Sequence, residues 1–292
     1  MVDLDTLASL DGLLWLQTGE EVARRFGLSQ SSVSRNERRC IKLFELRLQK
    51  IEGEWDLSAD DPILAAERRV HQLARWQQRR PLRLEATYWS GPLLATPAPV
   101  GWMLGRNNIV GIGRNLDLLR QRIIDVWLTG LPDVPGRDDP DFISLPLSRM
   151  PVHCEVQAEH PLLAMPQLSF EDLAPYPSLA LPAGAYPKVE AALRKVGLWT
   201  SPVRMKRYDH SRWEGKTEAE LTIGYATALS LEVAGQGMRR LPLQLPISSG
   251  DALVVRREFA ASEPFRQLRL TLLKRLRPLA ARHPEIQLLE PA

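Results

Sequence analysis

The chain has 292 residues, 44% of them hydrophobic, and a formal net charge of +3. That is enough for one large domain or two to three ordinary ones with real cores, and no run approaches the roughly 18 apolar residues of a membrane span. The N-terminus, Met1-Val2-Asp3-Leu4-Asp5, is acidic and lacks the basic and apolar regions of a secretory signal, so the chain is expected in the cytoplasm with no membrane partner. The two cysteines, Cys40 and Cys154, lie far apart without metal ligands at useful spacing and read as packed small hydrophobes.

The first helix is predicted over 4–16, where Leu4, Leu7, Leu10 and Leu14 recur on a helical period. Thr18-Gly19 breaks it, and a short second helix runs from Glu20 to Phe26, with acidic residues in the first turn where they suit the helix dipole. Gly27 can take the left-handed conformation that ends a helix. Ser29 is placed to cap a third helix beginning at Gln30.

Ala23, Gly27 and Val33 supply a small residue where two helices cross, a turn glycine and an apolar anchor, which together are the skeleton of a helix-turn-helix. With Val33 inward, Gln30, Ser31, Ser34 and Arg35 lie largely on the outer face or at the leading end of the third helix. Gln can pair with an adenine edge and Arg with a guanine edge, while Ser suits phosphates or bases. Residues 20–50 hold eight basic and four acidic side chains, a local surplus suited to phosphates. Arg38, Lys42, Arg47 and Lys50 are candidate contacts, the last two on a small hairpin wing around Gly53.

Asp60-Asp61-Pro62 opens a further helix. Ile63, Ala66, Val70, Leu73 and Gln77 recur along it at alternating spacings of three and four, a narrow seam that suits a homodimer. From residue 82 short strands alternate with helices, which predicts an α/β architecture with parallel sheets. Strands are expected at 82–87, 107–113, 125–129, 150–157, 178–182, 203–208, 222–227 and 252–256, and a long basic helix at 264–282.

No catalytic set, metal site or cofactor motif emerges. "GIGRNL" at 111–116 lacks the third glycine of a dinucleotide fingerprint, the five histidines are scattered, and Asp125 reads as a turn or cap. The chain is therefore not expected to be an enzyme. A binding cleft at the carboxyl ends of strands fits better: Tyr88-Trp89-Ser90, Thr129, Pro182-Ala183, Tyr208 and Tyr225 stand there, with aromatic walls and a few hydroxyls for a small organic ligand.

From about residue 4 to 282 the chain resembles the LysR-type transcriptional regulators. The resemblance rests on "VARRFGLSQSSVSR" in the N-terminal part and on "IIDVWLTGLP", "HPLL", "SFEDLAPYPSLAL" and "EVAGQGMRRLP", in that order, beyond it. It implies a winged helix-turn-helix over 1–59, a linker and dimerisation helix over 60–81, and an α/β effector domain over 82–292 like a periplasmic binding protein. Its first lobe would take about 82–155 and 258–292, and its second about 156–257. The implied partners are promoter DNA, a small-molecule effector and further copies of the chain in a homodimer or homotetramer, with RNA polymerase left open. By resemblance the recognition contacts fall on Gln30, Ser31, Ser32, Ser34 and Arg35. The effector cleft falls on Trp89, Ser90, Thr129, Pro182 and Ala183, with Tyr208 and Tyr225 beside them. The alternative is a small-molecule-binding protein, or a regulator that has lost its effector response, with no catalytic role. Glu37 and Cys40 stand where the family commonly has aliphatic residues.

Overall fold

The structure is a computed structural model that describes residues 2–57, 61–77, 79–234 and 237–289. The chain divides into two compact units. The first comprises Met1–Glu85, Ala98–Arg106 and Leu116–Val126, and the second Ala86–Pro97, Asn107–Asn115 and Trp127–Ala292. The junction predicted at 59/60 lies outside the described residues.

The first unit begins with α1 (Leu4–Leu16), α2 (Gly19–Phe26) and α3 (Gln30–Leu43), followed by the hairpin β1 (Leu48–Ile51) and β2 (Glu54–Leu57). Local chemistry sets these boundaries. Asp3, Thr18 and Ser29 each accept a free backbone N–H at a helix start, from Thr6, Glu21 and Ser32 respectively. Gly27 ends α2 at φ +66°, a left-handed conformation that costs glycine little. β1 and β2 pair antiparallel from Leu48 opposite Leu57 to Ile51 opposite Glu54, which forms the expected wing. Leu7, Leu10, Cys40, Phe44, Leu46 and Leu64 make one buried cluster. α1 is buried around nearly its whole girth rather than on one face, because α2, α3 and the wing surround it.

Helix α4 (Pro62–Trp76) starts at Asp61, whose carboxylate accepts the Leu64 N–H, with Pro62 at the first helical position. Its two faces differ sharply. Leu64, Arg68, His71, Gln72, Arg75 and Trp76 are buried, whereas Ile63, Ala66, Val70, Leu73 and Gln77, the whole predicted seam, are exposed. β3 (Leu82–Ala86) and β4 (Trp102–Leu104) pair in parallel.

Behind α4 lies a buried charge network that no local pattern foretells. Asp125 is fully buried and takes both oxygens' worth of donors: Arg75 Nε at 2.7 Å and Nη2 at 2.9 Å, Gln72 Nε2 at 3.0 Å and the Arg83 backbone N–H at 2.8 Å. It is an acceptor hub rather than a turn or cap. Arg68 donates to Asp11 at 2.8 Å, and Arg83 stands 3.6 Å from the same carboxylate. Burial among these cations pulls the Arg83 guanidinium down to about 10.

Helix α5 (Ile112–Arg120) and strand β5 (Val126–Gly130), like β3, straddle the division between the units. The second unit continues with β6 (Phe142–Pro146), β7 (Ser148–Gln157), β8 (Leu179–Ala180), α6 (Pro187–Lys195), β9 (Ser201–Pro202), α7 (Glu214–Ala219) and β10 (Gly224–Ala226). It ends with α8 (Ala228–Ala234), β11 (Met238–Ser249), β12 (Asp251–Arg256), α9 (Glu263–Arg282) and β13 (Gln287–Leu288). One sheet places β7 between β10 and β11, with β13 also on β7, and all three strands run antiparallel to β7. β12 pairs antiparallel with β6, and β8 pairs in parallel with β9. The sheets are thus mixed, where parallel ones were expected.

Two predicted strands are absent. Residues 107–113 and 203–208 form only an isolated bridge, Ile109 to Arg207, because Asn107 and Gly111 take positive φ and bend the chain out of an extended path. Apolar residues there pack as loops. Cys154, Val156, Leu179, Leu193, Trp199, Trp213 and Leu245 belong to the core cluster of this unit. Among the described residues no helix is long and apolar enough to cross a membrane, and no cluster of side chains could hold a metal ion.

Candidate DNA-reading helix and effector cavity

In the first unit, α3 carries an exposed polar stripe. Gln30, Ser31, Arg35, Arg38 and Lys42 are exposed, and Ser32 and Ser34 are half-buried. Ser31, Arg35, Arg38 and Lys42 follow one another at helical spacing, so their side chains share a face. The leading end is ordered internally: Ser29 Oγ lies 2.9 Å from the hydroxyls of both Ser31 and Ser32, and Arg35 Nη2 lies 3.2 Å from Ser32 Oγ. Val33, beneath the stripe, is buried. Asn36, which sequence reasoning passed over, donates to Ser9 Oγ at 3.0 Å and so docks α3 on α1.

The wing adds Arg47 and Lys50, both exposed, and the Lys50 ammonium sits 4.9 Å from the centre of the Trp55 ring. Glu37 lines the groove between α3 and the wing, and burial raises its carboxyl above the ordinary range. Cys40 is wholly buried in the apolar cluster, filling the place of an aliphatic side chain.

The second unit contains a cavity of about 140 Å³. Of the sequence candidates, Tyr88, Trp89, Tyr208 and Tyr225 line it. Ser90, Thr129, Pro182 and Ala183 are not part of its wall. Ser90 is fully buried and donates to Asp251 at 2.5 Å, while Ser148 donates to the other oxygen of that carboxylate at 2.9 Å. Thr129 is fully buried one position before the wall residue Gly130. A Cβ at Gly130 would stand 2.8 Å from the Trp89 ring, so glycine there lets the indole lie against the end of β5.

The remaining wall comes from residues that no periodicity marks, among them Tyr186, Trp199, Met205 and Trp213. Trp199 packs edge-on to Trp213 with ring centres 6.5 Å apart and tilted against Tyr225 at 5.8 Å. Its backbone N–H donates to the Tyr225 hydroxyl at 3.1 Å, and its φ of +68° is one that a bulky residue adopts only when its surroundings enforce it. Tyr88 and Tyr208 stack with centres 3.7 Å apart. Tyr208 donates its hydroxyl to the buried Glu214 carboxylate at 2.6 Å, and burial raises the Tyr88 and Tyr208 phenols well above their ordinary range. Glu155, on β7, is also buried; desolvation first and Glu214 second push its carboxyl up to about 8.

The family model of the LysR substrate binding domain matches residues 111–277, more than half of the chain. The chain belongs to the LysR family of transcriptional regulators. No curated protein sequence matches it. Among solved structures, this LysR chain is similar to a full-length cysteine-to-aspartate variant of OxyR from Pseudomonas aeruginosa, with 18% identity, 100% of this chain and 99% of that chain covered, and a TM-score of 0.59. It is also similar to a cysteine-to-serine mutant of Corynebacterium glutamicum OxyR in an H2O2-bound form, with 16% identity, 96% and 94% coverage and a TM-score of 0.52. The reduced form of OxyR from N. meningitidis has 16% identity, 72% and 99% coverage and a TM-score of 0.52. These likenesses concern the fold. Both cysteines of the present LysR chain are free and buried, and burial pushes each thiol up to about 12. The thiolate that redox chemistry needs is therefore disfavoured at neutral pH.

Proposed function

We propose that this LysR-family regulator reads operator DNA with the exposed stripe of α3, holds phosphates with Arg38, Lys42, Arg47 and Lys50, and responds to a small molecule bound in the aromatic cavity. The role is binding rather than catalysis, and it places the protein in the cytoplasm with its DNA. The observation that carries the reading is the capped α3, exposed along Ser31, Arg35, Arg38 and Lys42 and anchored below by Val33, with a basic wing in the same unit. A ligand can shift such a regulator only by binding its two arrangements unequally.

Arg35→Ala is expected to weaken binding to the operator by roughly 10- to 100-fold and binding to random DNA far less, as loss of a base contact does. Fluorescence anisotropy on both DNAs at two salt concentrations measures this. Equal losses on the two would make Arg35 a phosphate contact.

The exposed seam of α4 fits a second copy of the same helix. Ile63 is 65% exposed, Val70 50% and Leu73 41%, at the spacings of three and four that two helices share across a packed seam. Val70→Asp should weaken self-association by at least about tenfold, since pairing would bury its charge. Sedimentation velocity reads the outcome, and an unchanged oligomer would place the interface elsewhere.

A further inference from the structure

Inside the first unit, the DNA-reading head (α1, α2, α3 and the wing) is fastened to β3 and β4 by buried polar contacts. Seven consecutive residues of α1, Leu10–Leu16, are buried, more than a helix with one apolar face hides. Asp11 and Trp15, four residues apart and so on one face, reach beyond the head. The Trp15 indole N–H donates to the Glu85 carboxylate of β3 at 2.5 Å, and both side chains are buried. Asp11 accepts from Arg68 of α4 at 2.8 Å and stands 3.6 Å from Arg83 of β3. From α2, Arg25 donates to the Leu104 carbonyl of β4, and the Arg83 guanidinium rests 5.2 Å from the centre of the Phe26 ring. Gly105, next to Leu104, leaves room for this arrangement, since a Cβ there would overlap the Glu85 carboxylate.

Burial decides how such an interface opens. Arg68 also donates to Gln121 at 3.0 Å, and Arg83 to the Ile123 carbonyl at 2.9 Å, so each cation is held from more than one element. Breaking one of these contacts while the others hold leaves a charge buried and unpaired, which is strongly unfavourable. Separating the whole interface lets water reach every group at once. The cheapest opening is therefore a shared one. A surface pair such as Arg80 with Asp5 carries no such penalty and can break alone. Along the chain, β3 runs on into Tyr88 and Trp89 of the cavity wall.

We propose that the DNA-reading head is not an independent module but opens and closes as one cooperative body with β3, so that DNA held by α3 stabilises the strand leading to the cavity wall. The cooperativity stands on the buried contacts, and its regulatory meaning rests on the operator-binding reading above.

Hydrogen exchange read by mass spectrometry on the full chain tests this, with and without a DNA duplex taken from immediately upstream of its own coding sequence. DNA at about 100 times its Kd should slow exchange in α1 and in β3 alike, by about 100-fold, because a ligand protects the whole of the body it binds. Strand β7, in the second unit, should stay within about twofold of its rate without DNA. Slowing confined to the head would overturn the proposal, and so would equal slowing of β7, which would mean opening by global unfolding. Trp15→Phe keeps a ring but removes the donor to Glu85, so without DNA it should speed exchange in α3 and β3 alike by about tenfold. Acceleration confined to α1 would overturn the proposal. Arg25→Met, at the half-buried edge of the interface, is the milder variant should Trp15→Phe fail to fold; the same shared acceleration, about threefold, is expected. If the duplex does not bind, the operator reading fails for that DNA, while the two variants still decide the cooperativity. If the duplex binds and only the head is protected, the operator reading holds and the cooperative body fails.

Discussion

Asp125→Ala is expected to destabilise the first unit by about 3–5 kcal/mol, the usual cost of leaving a buried ion pair half-made. Asp125 is fully buried and accepts four hydrogen bonds, from both ends of the Arg75 fork, from Gln72 and from the Arg83 backbone. Removing it strands the Arg75 guanidinium, whose side chain is only 5% exposed, and leaves Gln72 and an amide without acceptors. Asp11 cannot take over, since Arg68 already holds it at 2.8 Å. Asp125→Asn keeps the shape and part of the hydrogen bonding, and should fall between the alanine variant and the natural chain. Arg75→Met combined with Asp125→Leu should recover part of the loss, because removing both charges avoids an unpaired one. Denaturant midpoints followed by circular dichroism read all three. A loss below about 1 kcal/mol for Asp125→Ala would mean that the network carries little of the stability. The network joins α4 to β3 and to the turn before β5, so it also fixes which face of α4 remains exposed as a seam.

Glu155→Gln should raise stability at pH 8 and flatten its dependence on pH. The Glu155 carboxyl is buried on β7 opposite Gly224 and Arg240, and desolvation with the neighbouring Glu214 raises it to about 8, while Arg240 acts in the opposite direction. Arg240 is held by Glu285 at 2.8 Å, which limits its help. Between the ordinary carboxyl range and about 8, folded Glu155 keeps a proton that unfolding releases, so its contribution falls as pH rises through that window. The loss is complete above about 8 and absent below the unfolded carboxyl's range, with a ceiling on the order of 5 kcal/mol. His71, His153 and His160 are lowered by burial and act in the opposite sense, losing stability as pH falls. Their effect cancels when the variant is compared with the natural chain at pH 5, 6.5 and 8. Parallel curves for the two proteins would show that Glu155 is ionised in the fold.

Much of the first unit was legible in the sequence because its determinants are local. Asp3, Thr18, Ser29 and Asp61 act on amides three residues away, Gly27 acts on its own φ, and the α4 seam is a periodicity within one helix. Such signals survive without knowledge of the fold. The candidate cavity was legible only in part: Tyr88, Trp89, Tyr208 and Tyr225 stand near strand ends, but Ser90 turns inward to Asp251, 161 positions away, and Thr129 is buried beside the wall. The strands expected at 107–113 and 203–208 do not form, because apolar alternation does not distinguish a ladder from a loop packed on a core. The sequence by itself determined the helix-turn-helix, its wing and the residues its third helix can present, since capping and helical period are properties of neighbours along the chain. Only the tertiary structure decided that Asp125 is a buried hub, that Asp133 occupies the start of α6, and that Trp199, Trp213 and Tyr225 converge on one cavity wall. Those facts depend on which distant segments meet in low-dielectric surroundings, and a linear pattern does not specify that.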